Sequence, residues 1–318
     1  MQVQPSSVLG ASARDFCNDD LIECLSINPA RCGDELVGSA RTIEIWKALA
    51  RSPSFTAAVI VNEALGSVPR TVGFGASVFV QERFIDHELS DPRPGLNARV
   101  LASIDSGKSV VLSESELRLA NTNGSLDSLI LYGSWRSDVL SPEAVHEVCA
   151  CLAFSYIDRH QGYHLNRLIT ETVGHEERIA LGASLVWRTL KDFDELSKHA
   201  RTLWVVTRED SLAVKANIIN PLFIHKVPVL GLRDADQQLL MAAIGGLTDE
   251  ELSLKLGLTL STVKKRWISI FERTIDARPN LFPAIKLSSG QKRGRQKRHH
   301  VLAYVRLHPE ELRPRIAI

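Results

Sequence analysis

The sequence lacks several features that would narrow its role at once. No window approaches the roughly 18 consecutive apolar residues of a membrane-spanning helix, so no membrane association is expected. The first residues, MQVQPSSVLGASARDF, have no basic start followed by an apolar core, and no export signal is read there. Cysteine is scarce: Cys17, Cys24, Cys32, Cys149 and Cys151 are odd in number and contain no Cys-x-x-Cys pair. This argues against a disulfide framework or a zinc knuckle and points to a reducing cytoplasm. Cys17, Cys24 and Cys32 are also spaced more widely than the usual thiol metal site. Gly-x-Ser-x-Gly, P-loop and dinucleotide fingerprints are all missing.

What is present is the composition of a folded, soluble chain. Of 318 residues, 44% are hydrophobic and 24% charged, and the length suits two domains. The net charge of +1 conceals an asymmetry, because Leu260 to the end holds 14 Lys and Arg against 4 Asp and Glu. A basic terminal segment on an acidic body is the footprint of a polyanion binder, or equally of a solvated basic tail.

Periodicity divides the chain near residue 210. Residues 1 to about 50 are expected to be helical, with LIECLSI and ARTIEIWKALA at helical spacing, and FTAAVIVNEA with TVGFGASVFV reads as a strand hairpin. SDPRPGLN is loop, KSVVLSESEL suggests a third strand, NTNGS a turn, and LDSLILYGSW a buried strand. A long helix starts at Ser141 and Pro142 and runs towards Gly162. HLNRLITETVG is then a strand, RIALGASLVWRTLKDF a helix and RTLWVVTRED a strand. An α/β or α+β domain is expected over residues 1–210, a connector over 211–230, an all-α module over 231–280 and a basic extension over 281–318.

In element order alone, residues 1–210 resemble the GNAT acetyltransferases. That fold binds the pyrophosphate of coenzyme A at a Gly-rich loop leading into a helix. The corresponding stretch here, YGSWRSDVLS, has only Gly133 and no Gly-x-Gly. Gly73 and Gly75 lie inside a strand, where glycine marks a bulge or a close backbone approach. The other chemistry-bearing residues are His87, His146, His160, His164, Glu171 and His175. Gly174 breaks the helix that a Glu171–His175 metal pair would need, and His160 with His164 suits a helix end. No catalytic residue, metal site or cofactor is assigned.

The module over 231–280 is more specific. Thr248 and Glu251 form a capping box, Gly257 permits a sharp turn, and Thr259 or Ser261 caps the next helix. Val263, Trp267, Ile270 and Phe271 make an inward stripe, leaving Lys264 and Lys265 outside with Arg266 at the border. Gly246-Leu247-Thr248 to Leu252 and Thr259 to Lys264 resemble the LuxR/GerE-type helix-turn-helix, with Asp236 and Ser253 departing from its pattern. A receiver domain or an autoinducer pocket cannot be assembled upstream.

The resemblance implies a DNA-binding transcriptional regulator rather than an enzyme. It would be a homodimer on double-stranded DNA, open to control by a small-molecule effector of the N-terminal domain. Its major-groove helix, Thr259 to Arg273, would use Thr259, Ser261, Thr262, Lys264, Lys265, Arg266 and Arg273, with Lys292, Arg293, Arg295, Lys297 and Arg298 on phosphates. The alternative is an acyl-coenzyme A-dependent transferase with an appended DNA-binding module.

Overall fold

The computed structural model describes residues 10–31, 39–62, 70–193, 200–282 and 290–316. Strand β1 (Ala11–Asp15) precedes helices α1 (Leu21–Leu25) and α2 (Ala40–Ala50), then the hairpin of β2 (Phe55–Asn62) and β3 (Arg70–Val80). Helices α3 (Glu82–Ser90), α4 (Leu96–Asp105) and α5 (Glu114–Asn123) lead to β4 (Leu126–Trp135). After α6 (Pro142–His160) come β5 (Leu165–Val173), α7 (His175–Gly182), β6 (Arg188–Phe193), β7 (Arg201–Thr207), α8 (Arg208–Ala213) and α9 (Asn220–Phe223). These elements form one compact unit, ending at Phe223; a second comprises Gln161–Tyr163 and the chain from Ile224.

The first unit is mixed α/β, with a seven-stranded sheet in the order β1-β2-β3-β4-β5-β7-β6. Every pairing is antiparallel except β4 with β5. A parallel pair needs a long crossover, and α6 supplies it. The β4–β5 pairing runs only from Leu126↔Leu165 to Ile130↔Thr170. Beyond it, β4 stays with β3 as far as Trp135↔Gly73, while β5 stays with β7 as far as Val173↔Arg201. The sheet therefore forks. At the fork Leu131 is an extra residue in β4, because Ala76 faces Tyr132 and Ser77 faces Ile130.

One sheet face buries Val59, Phe74, Val78, Leu129, Ile169 and Leu203 with Trp46, Ile85 and Val100. On the other, Ile60 and Val72 pack with Val148 and Cys151 of α6. Gly73 and Gly75 permit this approach: a Cβ on Gly73 would lie 2.9 Å from Val148 Cγ1, and one on Gly75 3.2 Å from Leu152 Cδ2.

Several local expectations change. The stretch up to about residue 50, expected to be helical, includes strand β1, which pairs with β2 from Ala11↔Asn62 to Asp15↔Ala58. The stretch expected as a third strand keeps one bridge, Val80 to Val111, then turns into α5. The cause is a capping box: Glu116 N–H donates to Ser113 Oγ and Ser113 N–H to Glu116 Oε2 at 2.8 Å. The helix expected over RIALGASLVWRTLKDF stops at Gly182, passes Leu185 at φ 59°, and becomes β6 on β7. Pairing with a formed strand outweighs weak helical propensity there.

In the second unit, α10 (Asp234–Ile244), α11 (Asp249–Leu256), α12 (Leu260–Ala277) and α13 (Gly290–Leu307) follow one another. Leu239, Leu240, Leu252, Val263, Trp267, Ile270, Val301 and Val305 form their core. Thr248 and Glu251 make the capping box of α11, and Gly257 ends it at φ 63°. The basic run lies within α13 rather than ahead of a shorter helix.

Gly73→Ala should lower the melting temperature, by about 1–3 kcal/mol of stability. A second change, Val148→Ala, should recover part of the loss if the contact is the cause. Thermal denaturation of the two variants and of Val148→Ala alone checks this.

Candidate functional site

The forked sheet and α6 enclose a cavity of about 370 Å³. That is within the usual range for a small-molecule site, roughly 300–1,000 Å³. All its lining residues belong to the first unit. Gly75 and Ser77 of β3, Ile130 and Trp135 of β4, and Leu168 and Thr170 of β5 face Cys149, Leu152, Ala153, Tyr156 and His160 of α6. The lining is predominantly apolar, and its small residues leave the space open.

Two polar clusters border it. The first is centred on His160, the last residue of α6, which is buried. Its Nδ1 lies 2.8 Å from the Tyr156 carbonyl oxygen. A carbonyl only accepts, so Nδ1 carries the proton and Nε2 holds the lone pair. Ser77 Oγ stands 3.0 Å and Thr56 Oγ1 3.2 Å from Nε2, and the two hydroxyls are 2.8 Å apart. The imidazole stacks on Tyr156 with ring centroids 3.9 Å apart. Burial pushes the Tyr156 phenol well above its ordinary pKa, against the opposing effect of its hydrogen bond with Ser128. A hydroxyl beside an imidazole lone pair can lose its proton to that base.

The second cluster lies at the fork. Arg31 is 2% exposed and pairs with Glu177 across 2.6 Å. Burial opposes its charge, but the attraction and hydrogen bonding of Glu177, with smaller help from Tyr132 and Glu171, together outweigh that effect and raise its pKa. Glu177 also accepts from Asn28 Nδ2 at 2.9 Å, Ser134 Oγ at 2.5 Å and the Val173 N–H at 2.9 Å. Leu131 O, deprived of a strand partner, accepts from Arg31 Nη1 at 3.2 Å and Asn97 Nδ2 at 2.8 Å. Glu171 accepts from the Gly95 N–H at 2.7 Å and pairs with Arg201 at 3.0 Å. Glu171 is therefore part of this frame rather than a partner for His175.

Cys149 lines the cavity, but burial, reinforced by Glu177 and Glu176, pushes its thiol up to about 11. It is protonated near neutral pH and a poor nucleophile. Sequence reasoning had placed His160 at a helix end and gave no hint of Ser77 or Thr56. The period-two alternation of β2 and β3, set against α6, was the signal that could have put them on one face.

The residues expected to read DNA lie in the second unit. Thr259 caps α12, accepting from the Thr262 N–H at 3.2 Å, with Ser261 Oγ 2.9 Å away. Lys264 and Lys265 are exposed. Arg266 donates to Ala235 O at 3.3 Å, and Arg273 donates to Gly231 O at 2.6 Å while facing buried Asp236 at 3.7 Å. Lys297 lies over the Phe271 and Phe282 rings. Arg298 covers the Trp267 ring, pairs with Asp249 at 2.8 Å and donates to Leu247 O. The side chains of Lys292, Arg293 and Arg295, and Cys32, lie outside the described residues.

No protein-family model and no curated protein matches the chain. Among solved structures it is similar to FeeM, an N-acyl amino acid synthase from uncultured soil microbes, at 10% identity and TM-score 0.35, over 64% of this chain and 96% of that one. It is also similar to a polyamine N-acetyltransferase of Drosophila melanogaster, at 11% identity and TM-score 0.36, over 62% and 99%. A third is the NatC complex bound to Gag peptide and CoA, at 10% identity and TM-score 0.33, over 62% and 98%.

The expectation of a non-enzymatic transcriptional regulator, a homodimer with duplex DNA and an effector as partners, is corrected accordingly. None of the three is described as a DNA-binding regulator: one is an N-acyl amino acid synthase, one a polyamine N-acetyltransferase and one a complex bound to a peptide and CoA. The larger unit is built around a cavity. Four of the cations expected at a groove, Arg266, Arg273, Lys297 and Arg298, are engaged inside their own unit. No helix among the described residues is long and apolar enough to cross a membrane.

Exposed Cys17 should be alkylated readily by iodoacetamide at pH 8, whereas Cys149 should react appreciably only as the pH nears 11. Peptide mapping across a pH series measures both, and equal labelling at pH 8 would contradict the burial argument.

Proposed function

We propose that the first unit is a GNAT-like acyltransferase that takes an acyl thioester and passes the acyl group to an amine. The observation that carries this reading is the apolar cavity lying along a parallel strand pair that separates past Ile130 and Thr170. The strand order and the crossover helix α6 support the acetyltransferase resemblance noted in the sequence. For the second unit we propose a LuxR/GerE-like fold only, on the spacing of α10, α11 and α12.

The acyl chain occupies the apolar part of the cavity, which excludes water from the thioester. The acceptor nitrogen attacks the carbonyl carbon, so that a C–N bond forms and the C–S bond breaks. Its proton passes through the Ser77 hydroxyl to His160 Nε2, and the departing thiolate takes a proton in turn. Thr56, on the same nitrogen, holds the imidazole in register. The Tyr156 carbonyl fixes the tautomer that leaves Nε2 able to accept. Arg31 and Glu177 keep the fork apart.

Thiol release from acyl thioesters, followed by chromatography with a panel of primary amines, tests this. His160→Gln should reduce the rate by roughly 100-fold or more, the ordinary worth of a general base. Ser77→Ala should fall in the same direction. Each methylene added to the chain should tighten binding by about 0.8 kcal/mol, roughly fourfold, until the cavity is full. Full activity in His160→Gln, or no turnover of any thioester by the native chain, would overturn the assignment.

A further inference from the structure

The fold resemblance implies coenzyme A, whose pyrophosphate would lie against the first turn of α6. The residues present do not fit that group. Pro142 has no N–H to offer. The exposed Glu143 carboxyl has its pKa lowered by its own backbone N–H and by the Ser141 hydroxyl, which favours a negative charge at this turn. Ala144 N–H donates to Ser141 Oγ at 3.3 Å, and Val145 N–H to Ser141 O at 2.9 Å. Asp138 and Glu143 are both exposed there and add negative charge. No residue from Ser134 to Ser141 has a positive φ, so the turn forms no left-handed anion nest. Arg136, its one arginine, donates to Ser26 Oγ at 3.0 Å.

The fork presents different chemistry. Asn97 is 2% exposed, and its Oδ1 is buried with no hydrogen-bond partner among the described residues. Its Nδ2 is held on Leu131 O, the carbonyl at which the strands part. Asn97 stands on α4 and does not line the cavity, so it braces the fork rather than meeting the acyl chain.

We infer that the donor is a pantetheine thioester recognised through its acyl chain, with no contribution from a nucleotide pyrophosphate. This rests on the acyltransferase reading above, and it narrows the substrate class. The pantetheine can be free or borne on a carrier protein, since both present the same arm.

The test compares decanoyl-pantetheine, decanoyl-coenzyme A and a decanoylated carrier protein on the full chain, by calorimetry for binding and by chromatography for turnover. The expected result is affinities for the first two within about threefold of each other, a difference below 1 kcal/mol. Tighter binding of the carrier-borne chain would also support the inference and identify its source. A preference of about 100-fold or more for the coenzyme A ester would overturn it while leaving acyl transfer standing. If both esters bind equally and neither is turned over, the transferase reading fails and the inference about recognition holds. If neither binds, both fall. In a second variant, Ser141→Gly with Glu143→Gln, the Ala144 N–H is released and one carboxylate is removed, and coenzyme A alone should bind about tenfold more tightly; unchanged binding would contradict the assigned obstacle.

Discussion

The separation of β4 from β5 is the constraint on which the rest of the first unit depends. Buried backbone groups must find partners, and two parallel strands that diverge leave a row of them without their usual neighbours. In this chain side chains provide the replacements. Arg31 and Asn97 meet Leu131 O, and Glu177 meets Val173 N–H, while the β5 side chain Glu171 ties in Gly95 N–H ahead of α4. Two buried carboxylates and a buried guanidinium are costly to desolvate, and they persist because each is paired and hydrogen-bonded. The fork is thus a built feature, held open from several distant parts of the sequence.

The cavity follows from the fork and from the thinness of what lies above it. Gly73 and Gly75 allow α6 to approach the sheet, while Ala150 and Ala153 put little volume into the gap. At its His160 end the helix stops where one imidazole can meet two strands through Ser77 and Thr56. The apolar space has the His160 imidazole at one end and charged groups at the fork, which is the arrangement the proposed acyl donor would need.

Much of this could be read in the sequence, though unevenly. The hairpin, β4, α6 and β5 were legible because each has a strong period and clear end signals, such as Ser141 with Pro142. β1, α5 and β6 were not, since their identity depends on a neighbour already in place or on one capping box at Ser113. The site was harder still. Thr56, Ser77 and His160 are far apart in the chain, and only strand register and the crossover bring them within hydrogen-bond distance. The cations of α12 and α13 were conspicuous in the sequence, yet it gave no sign that Asp236, Asp249, Trp267 and Phe271 would engage several of them. A run of charge shows its sign but not its partners.

Cys149, Ala153, Tyr156 and His160 lie at intervals of four, three and four residues, along one side of α6. At about 1.5 Å per residue the row extends for about 16 Å. In the proposed acyltransferase the helix acts as a ruler laid against the acyl tail, with His160 as its zero mark. Exchanging a small residue for a bulky one at a chosen division would shorten the measure by a turn, so that the preferred tail length is set by side-chain size along α6 rather than by the frame that supports it.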